Sequence, residues 1–89
     1  MTFKDQTAVI TGGAQGIGGA VAEQLAKSGV RVALWDMDES LAQKTAERIG
    51  GGAIAVAANV ADWSSVEQAM AITSEAFGRV DIMVNSAGI

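Results

Sequence analysis

The chain has 89 residues, a net charge of −4, and no Cys, His or Tyr. Without Cys and His, a disulfide framework, a thiolate nucleophile, Ser-His-Asp chemistry and the ordinary zinc sites are excluded. With 10 Asp plus Glu against 6 Lys plus Arg, the chain lacks the cations that would neutralise a nucleic-acid backbone or an anionic membrane surface. Apolar residues make up 49% but aromatic ones only 4%, so a globular core must come from small side chains packed closely. No apolar run is long enough to cross a bilayer, and Met1-Thr2-Phe3-Lys4-Asp5 carries no signal-peptide core, so a cytoplasmic protein is expected.

Short apolar runs alternate with longer amphipathic ones. Thr7 to Thr11 reads as a first strand, apolar on both sides and ended by Gly12-Gly13. Gly16 to Ser28 reads as a helix, with Ile17, Val21 and Leu25 on one stripe and Ala20, Ala22 and Ala26 beside it. Gly29 sits at the position after the helix where positive φ is needed. Val30 to Trp35 is a second strand, closed by Asp36. Asp38 is placed to cap a second helix whose inward residues are Leu41, Thr45 and Ile49, stopped by Gly50-Gly51-Gly52.

Ala53 to Ala57 gives a third strand. Asp62, or Ser64 with Glu67 as a capping box, opens a third helix. Its inward stripe is Val66, Ala69, Met70, Thr73, Ala76 and Phe77, and Gly78 ends it. Val80 to Asn85 is a fourth strand, followed by Ser86-Ala87-Gly88-Ile89. Trp35 and Trp63 are read as packing residues, Met70 and Met83 as core filler. The order β-α-β-α-β-α-β with short connections implies an α/β fold with parallel pairing and right-handed crossovers.

The segment Thr11-Gly12-Gly13-Ala14-Gln15-Gly16-Ile17-Gly18 joins the first strand to the first helix. That context gives the glycines their weight. Gly12 lets the chain leave the strand, Gly16 lets a bulky anion approach, and Gly18 lets the helix lie against the sheet. The free amides of Gly16 and Ile17 then meet a pyrophosphate at the positive end of the helix dipole. A turn that merely connects two elements is the competing reading, and it does not need this many glycines at these offsets.

Asp36 ends the second strand, 18 residues after Gly18. A carboxylate there can accept from adenosine ribose hydroxyls and repel a 2′-phosphate. Gln15 and Met37 are neutral and supply no cation for that phosphate. The balance favours NAD over NADP. Asp36 as a helix cap or a solvated loop charge is the plainer alternative.

These residues resemble the N-terminal half of the short-chain dehydrogenase/reductase family. Thr11-Gly12, Gly16 and Gly18 are similar to its Thr-Gly-x-x-x-Gly-x-Gly fingerprint, and Asn85-Ser86-Ala87-Gly88 to its Asn-Asn-Ala-Gly. Phe77 to Val84 resembles the segment just before that second motif, and the likeness runs from Lys4 to Ile89. It implies a Rossmann-type doubly wound parallel sheet, here a portion with strand order 3-2-1-4. The implied cofactor is NAD. Gly12, Gly16, Ile17 and Gly18 would cradle the pyrophosphate, and Asp36 would hold the ribose. Asn59-Val60 stands where the family has Asp-Val, at the adenine edge; Asn59 offers an acceptor and a donor without a carboxylate's charge. Asn85, Ala87 and Gly88 would line the cofactor channel. Ser86 departs from the family's second Asn, so the sheet-bridging bonds of the longer amide are in question. Plain turn and strand-end roles for Asn59 and Asn85-Ser86 compete with these.

The family's hydride transfer uses a Ser and a Tyr-x-x-x-Lys motif further on. This chain has no Tyr, so no catalytic residue is assigned within it. Residues 1–89 are expected to be the NAD-binding portion of a larger single-domain enzyme, with a fourth strand left as an open apolar edge. The resemblance further implies an alcohol or carbonyl substrate and a homo-oligomer, expected as a tetramer. Two other functions compete: a non-catalytic dinucleotide-sensing module, and an S-adenosylmethionine-binding domain of related shape.

Overall fold

In the computed structural model, which describes residues 6–14 and 16–86, the elements run β1 Thr7–Thr11, α1 Gly16–Lys27, β2 Arg31–Asp36, α2 Glu39–Ile49, β3 Ile54–Ala57, α3 Trp63–Phe77 and β4 Ile82–Asn85. Every expected element is present, with ends shifted by one or two residues. The strands form one sheet in the order β3-β2-β1-β4, and all three pairings are parallel. This is the expected Rossmann-type arrangement.

Alternate residues of each strand go to opposite faces. Ala8, Ile10, Val32 and Leu34 pack with Ala22 of α1 and with Ala42 and Ala46 of α2. Val9, Ala33, Trp35 and Val56 pack with Ala69 and Phe77 of α3 on the other face. The sheet is therefore covered on both sides, and β1 is buried along its whole length. Alanine supplies much of both clusters, which lets the helices approach closely.

Several expected details differ. The buried line of α1 runs through Gly18, Gly19 and Ala22, not through Ile17, which is 62% exposed, or Ala20. The reason is steric: the helix meets the sheet where it has no side chain, so the bulkier Ile17 is turned outward. On α3, Ala76 is exposed while Ala69, Thr73 and Phe77 are buried. Asp62 is the N-cap and accepts the Ser64 amide, so no Ser64–Glu67 box forms. Asp38 caps α2 as expected, through the Leu41 amide at 3.0 Å.

Trp35 is a core residue, but Trp63 stands 74% exposed at the start of α3 and Met83 is 50% exposed on β4. Among the described residues β4 pairs only with β1, which leaves Met83 on the open edge.

Two polar contacts fasten the layers. The Trp35 indole Nε1 donates to Thr73 Oγ1 at 3.0 Å, and that hydroxyl donates to the Ala69 carbonyl at 2.8 Å. Both side chains are buried. At the amino end of the sheet, the Thr7 amide donates to Asp81 Oδ2 at 2.9 Å, the Thr7 hydroxyl donates to the Arg79 carbonyl, and Arg79 Nε lies 3.1 Å from the same carboxylate oxygen. The Thr7 amide, helped by the nearby Arg79 charge, holds the Asp81 carboxyl below its ordinary value against the opposing cost of desolvation.

Thr73→Val strands the buried indole N–H, and unfolding by denaturant should show a loss of about 1–3 kcal/mol. Asp81→Asn should be destabilising at neutral pH. Because the folded carboxyl is held low, its contribution is complete above the unfolded value of about 4 and is lost as pH falls through the lower folded value. The gap between the two proteins' melting temperatures should therefore close on acidification, and a constant gap would contradict the assignment.

Candidate functional site

Parallel strands bring their carboxyl ends to one edge of the sheet. Register pairs Thr11 with Trp35 and with Asn85, and Asp36 with Ala57. The connections leaving those ends carry every described residue singled out in the sequence: Gly12, Gly16, Ile17, Gly18, Asp36, Met37, Asn59, Val60 and Asn85. Gln15, Ala87 and Gly88 lie outside the described residues.

The turn after β1 is bonded to β2. The Gly12 and Gly13 amides both point at the Trp35 carbonyl, at 2.7 and 3.3 Å. Gly18 then returns against the turn. A Cβ there would stand 2.9 Å from the Gly12 carbonyl carbon and nearer still to its oxygen. No other residue type fits without moving the helix or the strand end. Gly16 has φ +62°, and a Cβ on it would meet nothing within 4 Å. The first turn of α1 thus faces open space, with amides that have no partner inside the helix.

Asp36 accepts two backbone amides, one on each oxygen. Oδ2 takes the Ala14 amide at 3.2 Å and Oδ1 takes the Asp38 amide at 3.0 Å. The plainer reading of Asp36 as a local loop bond is therefore partly realised. Each carboxylate oxygen has two acceptor positions, so the contacts leave capacity for further donors.

A cleft of about 150 Å³ opens beside it, lined by Gly12, Trp35, Asp36, Met37, Ala58 and Val60. Four of these were singled out in the sequence. Met37 and Val60 are 74% and 45% exposed, so two apolar side chains stand at the cleft unburied by the protein itself.

Asn59 plays the turn role that competed with adenine recognition. Its Oδ1 accepts the Ala61 amide at 3.0 Å, and its own amide donates to Ser65 Oγ at 2.9 Å. The side chain's amino group is the part left for a ligand. Asn85 Oδ1 accepts from the Thr11 hydroxyl at 2.9 Å. The doubt over Ser86 is answered: its hydroxyl donates to the Thr11 carbonyl and its amide donates to Thr11 Oγ1 at 3.1 Å. The shorter side chain still bridges β4 to β1.

Thr45 and Ala58 were not anticipated as site residues. Thr45 Oγ1 donates to the Ala14 carbonyl at 2.7 Å, and both residues are buried. A hydroxyl on an otherwise apolar helix stripe was the available signal.

The chain is similar to proteins of one family. A family model described as short chain dehydrogenase matches residues 6–89. Sorbitol dehydrogenase of Cereibacter sphaeroides is 40% identical over 89 residues, which cover 100% of this chain and 35% of that protein. L-rhamnose 1-dehydrogenase (NAD(P)(+)) of Azotobacter vinelandii is 44% identical over 96 aligned positions, covering 100% of this chain and 38% of the relative. The crystal structure of 3-ketoacyl-(acyl-carrier-protein) reductase from Brucella melitensis complexed with NADH superposes with a TM-score of 0.89 at 35% identity, over 92% of this chain and 34% of that one. The chain spans about a third of the length of the curated relatives it matches. Matched by the family model along nearly its whole length, and carrying the glycine-rich turn beside Asp36, the chain belongs to the short-chain dehydrogenase family.

Proposed function

We propose that this chain forms the dinucleotide-binding portion of an NAD-dependent oxidoreductase acting on an alcohol/carbonyl pair. The observation that carries the reading is the cleft in which Gly12 of the glycine-rich turn meets the Asp36 carboxylate, with the α1 amino end, open at Gly16, following that turn. The residues present fit the coenzyme. Gly16 leaves room for a phosphate where a side chain would intrude. The Gly16 and Ile17 amides, backed by the helix dipole, bind the pyrophosphate. Asp36 turns its remaining acceptor positions to the ribose hydroxyls. Met37 and Val60, exposed at the cleft, would hold a flat base, and the Asn59 amino group would be free to donate to its edge. Bound NAD supplies hydride acceptance. The protein's part in this chain is to bind and orient.

Preference for NAD over NADP rests on charge. A 2′-phosphate would sit against the Asp36 carboxylate, and Met37 beside it is neutral. Two of the chain's cations are engaged elsewhere: Arg48 and Lys27 lie 3.0 and 3.7 Å from Glu23, near the opposite ends of α1 and α2. Among the described residues no helix is long and apolar enough to cross a membrane. A homo-oligomeric assembly completes the proposal by family resemblance, and cytoplasmic residence follows the sequence reading.

Equilibrium titration of the intact protein should show NAD binding more tightly than NADP. Asp36→Asn removes the charge and should shrink that ratio by about tenfold. Tighter NADP binding by the unmodified protein would reverse the coenzyme assignment. With NAD and a panel of secondary alcohols, the absorbance of the reduced coenzyme should grow. Binding without any turnover would instead favour a dinucleotide sensor.

A further inference from the structure

The glycine-rich turn has few side chains with which to hold itself in place. Its first two amides lean on the Trp35 carbonyl. Its last described residue before the helix, Ala14, is held in three ways. The methyl group belongs to the core cluster under α1 and α2. The amide donates to Asp36 Oδ2 at 3.2 Å. The carbonyl accepts the Thr45 hydroxyl at 2.7 Å, across 31 residues of sequence.

A threonine in a helix usually turns its hydroxyl back to the carbonyl one turn earlier. Thr45, buried on the inner face of α2, points its hydroxyl at the loop instead. Beyond Ala14 the chain enters α1 through Gly16 at φ +62°, with no side chain to fix it. The body of α1 is seated by its packing at Gly18, and the setting of the turn that leads into its first amides then depends on how firmly Ala14 is held.

We infer that Thr45 is a positioning residue for the anion-binding turn: its hydroxyl, gripping Ala14 from α2, preorganises the amides that receive the pyrophosphate. The inference rests on the dinucleotide reading given above. It assigns to α2 a part in binding that its surface residues do not suggest. A preformed turn spares the ligand the entropy of ordering it, and losing the bond leaves a buried carbonyl unsatisfied, so the turn relaxes to find another donor.

The test compares Thr45→Val, which keeps the shape and removes the hydroxyl, with Thr45→Ser, which keeps the hydroxyl. In the intact protein Thr45→Val should weaken NAD and ADP alike by about five- to tenfold. Adenosine, which lacks the pyrophosphate and feels the change only through the Ala14–Asp36 bond, should weaken clearly less than NAD and ADP, and Thr45→Ser should restore NAD and ADP affinity. A general loss of stability would not sort ligands by their phosphates. Unchanged NAD and ADP affinity in folded Thr45→Val would overturn the inference, as would equal weakening of adenosine.

Amide hydrogen exchange without ligand separates this from the coenzyme reading. Thr45→Val should speed exchange at Gly13 and Ala14, whose amides are bonded. If it does so in a protein that binds no NAD, the dinucleotide reading fails and the clamp stands. If the valine variant does not fold, the unmodified protein decides: its Ala14 amide should exchange more slowly than that of Gly51, in an exposed turn, and equal rates would overturn the clamp.

Discussion

The absence of a side chain at Gly18 is the constraint from which the site follows. With a Cβ in that place, α1 could not lie against the Gly12 carbonyl. The helix would have to tilt or withdraw, and its amino end would leave the edge of the sheet. The same contact explains why Ile17 faces outward and why the inner line of α1 is Gly18, Gly19 and Ala22. A packing requirement thus fixes where unpaired amides are presented. The proposed binding surface is main chain rather than side chain, so little in the composition advertises it.

Asp36 shows how one carboxylate can serve two purposes. It bonds the Ala14 amide on one oxygen and the Asp38 amide on the other. These contacts fix its orientation in advance, as bonds to charged acceptors are strong and directional. The oxygen positions that remain are then aimed by the protein before any ligand arrives. Reading Asp36 as either a loop bond or a sugar ligand sets up a false choice. The loop bonds are what would make it a well-placed sugar ligand, and a substitution there disturbs the turn as well as the charge.

Much of this architecture was legible because the relevant signals are local. Strand runs such as Thr7 to Thr11, glycines at helix exits, and the Asp38 cap depend on residues close in sequence. Parallel order followed from alternation alone. The errors fall where a tertiary contact overrides a local pattern. Ile17 belongs to an apolar stripe by spacing, but the close approach at Gly18 rotates it away. At the start of α3 the sequence offered Asp62 or a Ser64–Glu67 box, and Asp62 is the cap that forms, through a bond to the Ser64 amide two residues away. Trp63 and Met83 were assigned to packing by residue type, and both are largely exposed. In the site, the Gly12, Asp36, Met37 and Val60 cluster was foreseeable, whereas the grip of Thr45 on Ala14 spans two elements, and the sequence marks only the hydroxyl on an apolar stripe, not its partner.

The four buried polar residues among those described are all threonines: Thr7, Thr11, Thr45 and Thr73. Each ties together parts distant in sequence. Thr7 binds the Arg79–Asp81 segment, Thr11 the Asn85–Ser86 segment, Thr45 the glycine-rich turn and Thr73 the indole of Trp35. Among the described residues no buried side-chain polar atom lacks a partner. The pattern answers a problem posed by the composition. A core made largely of alanine has little shape to distinguish one register from the next, since small side chains slide past each other at low cost. Directional hydroxyl bonds do distinguish registers, because a shift of one residue leaves a buried donor or acceptor unpaired. Two of the four, Thr11 and Thr45, make their bonds at or beside the glycine-rich turn. Small side chains bring the layers close, and the threonines then determine how the layers meet.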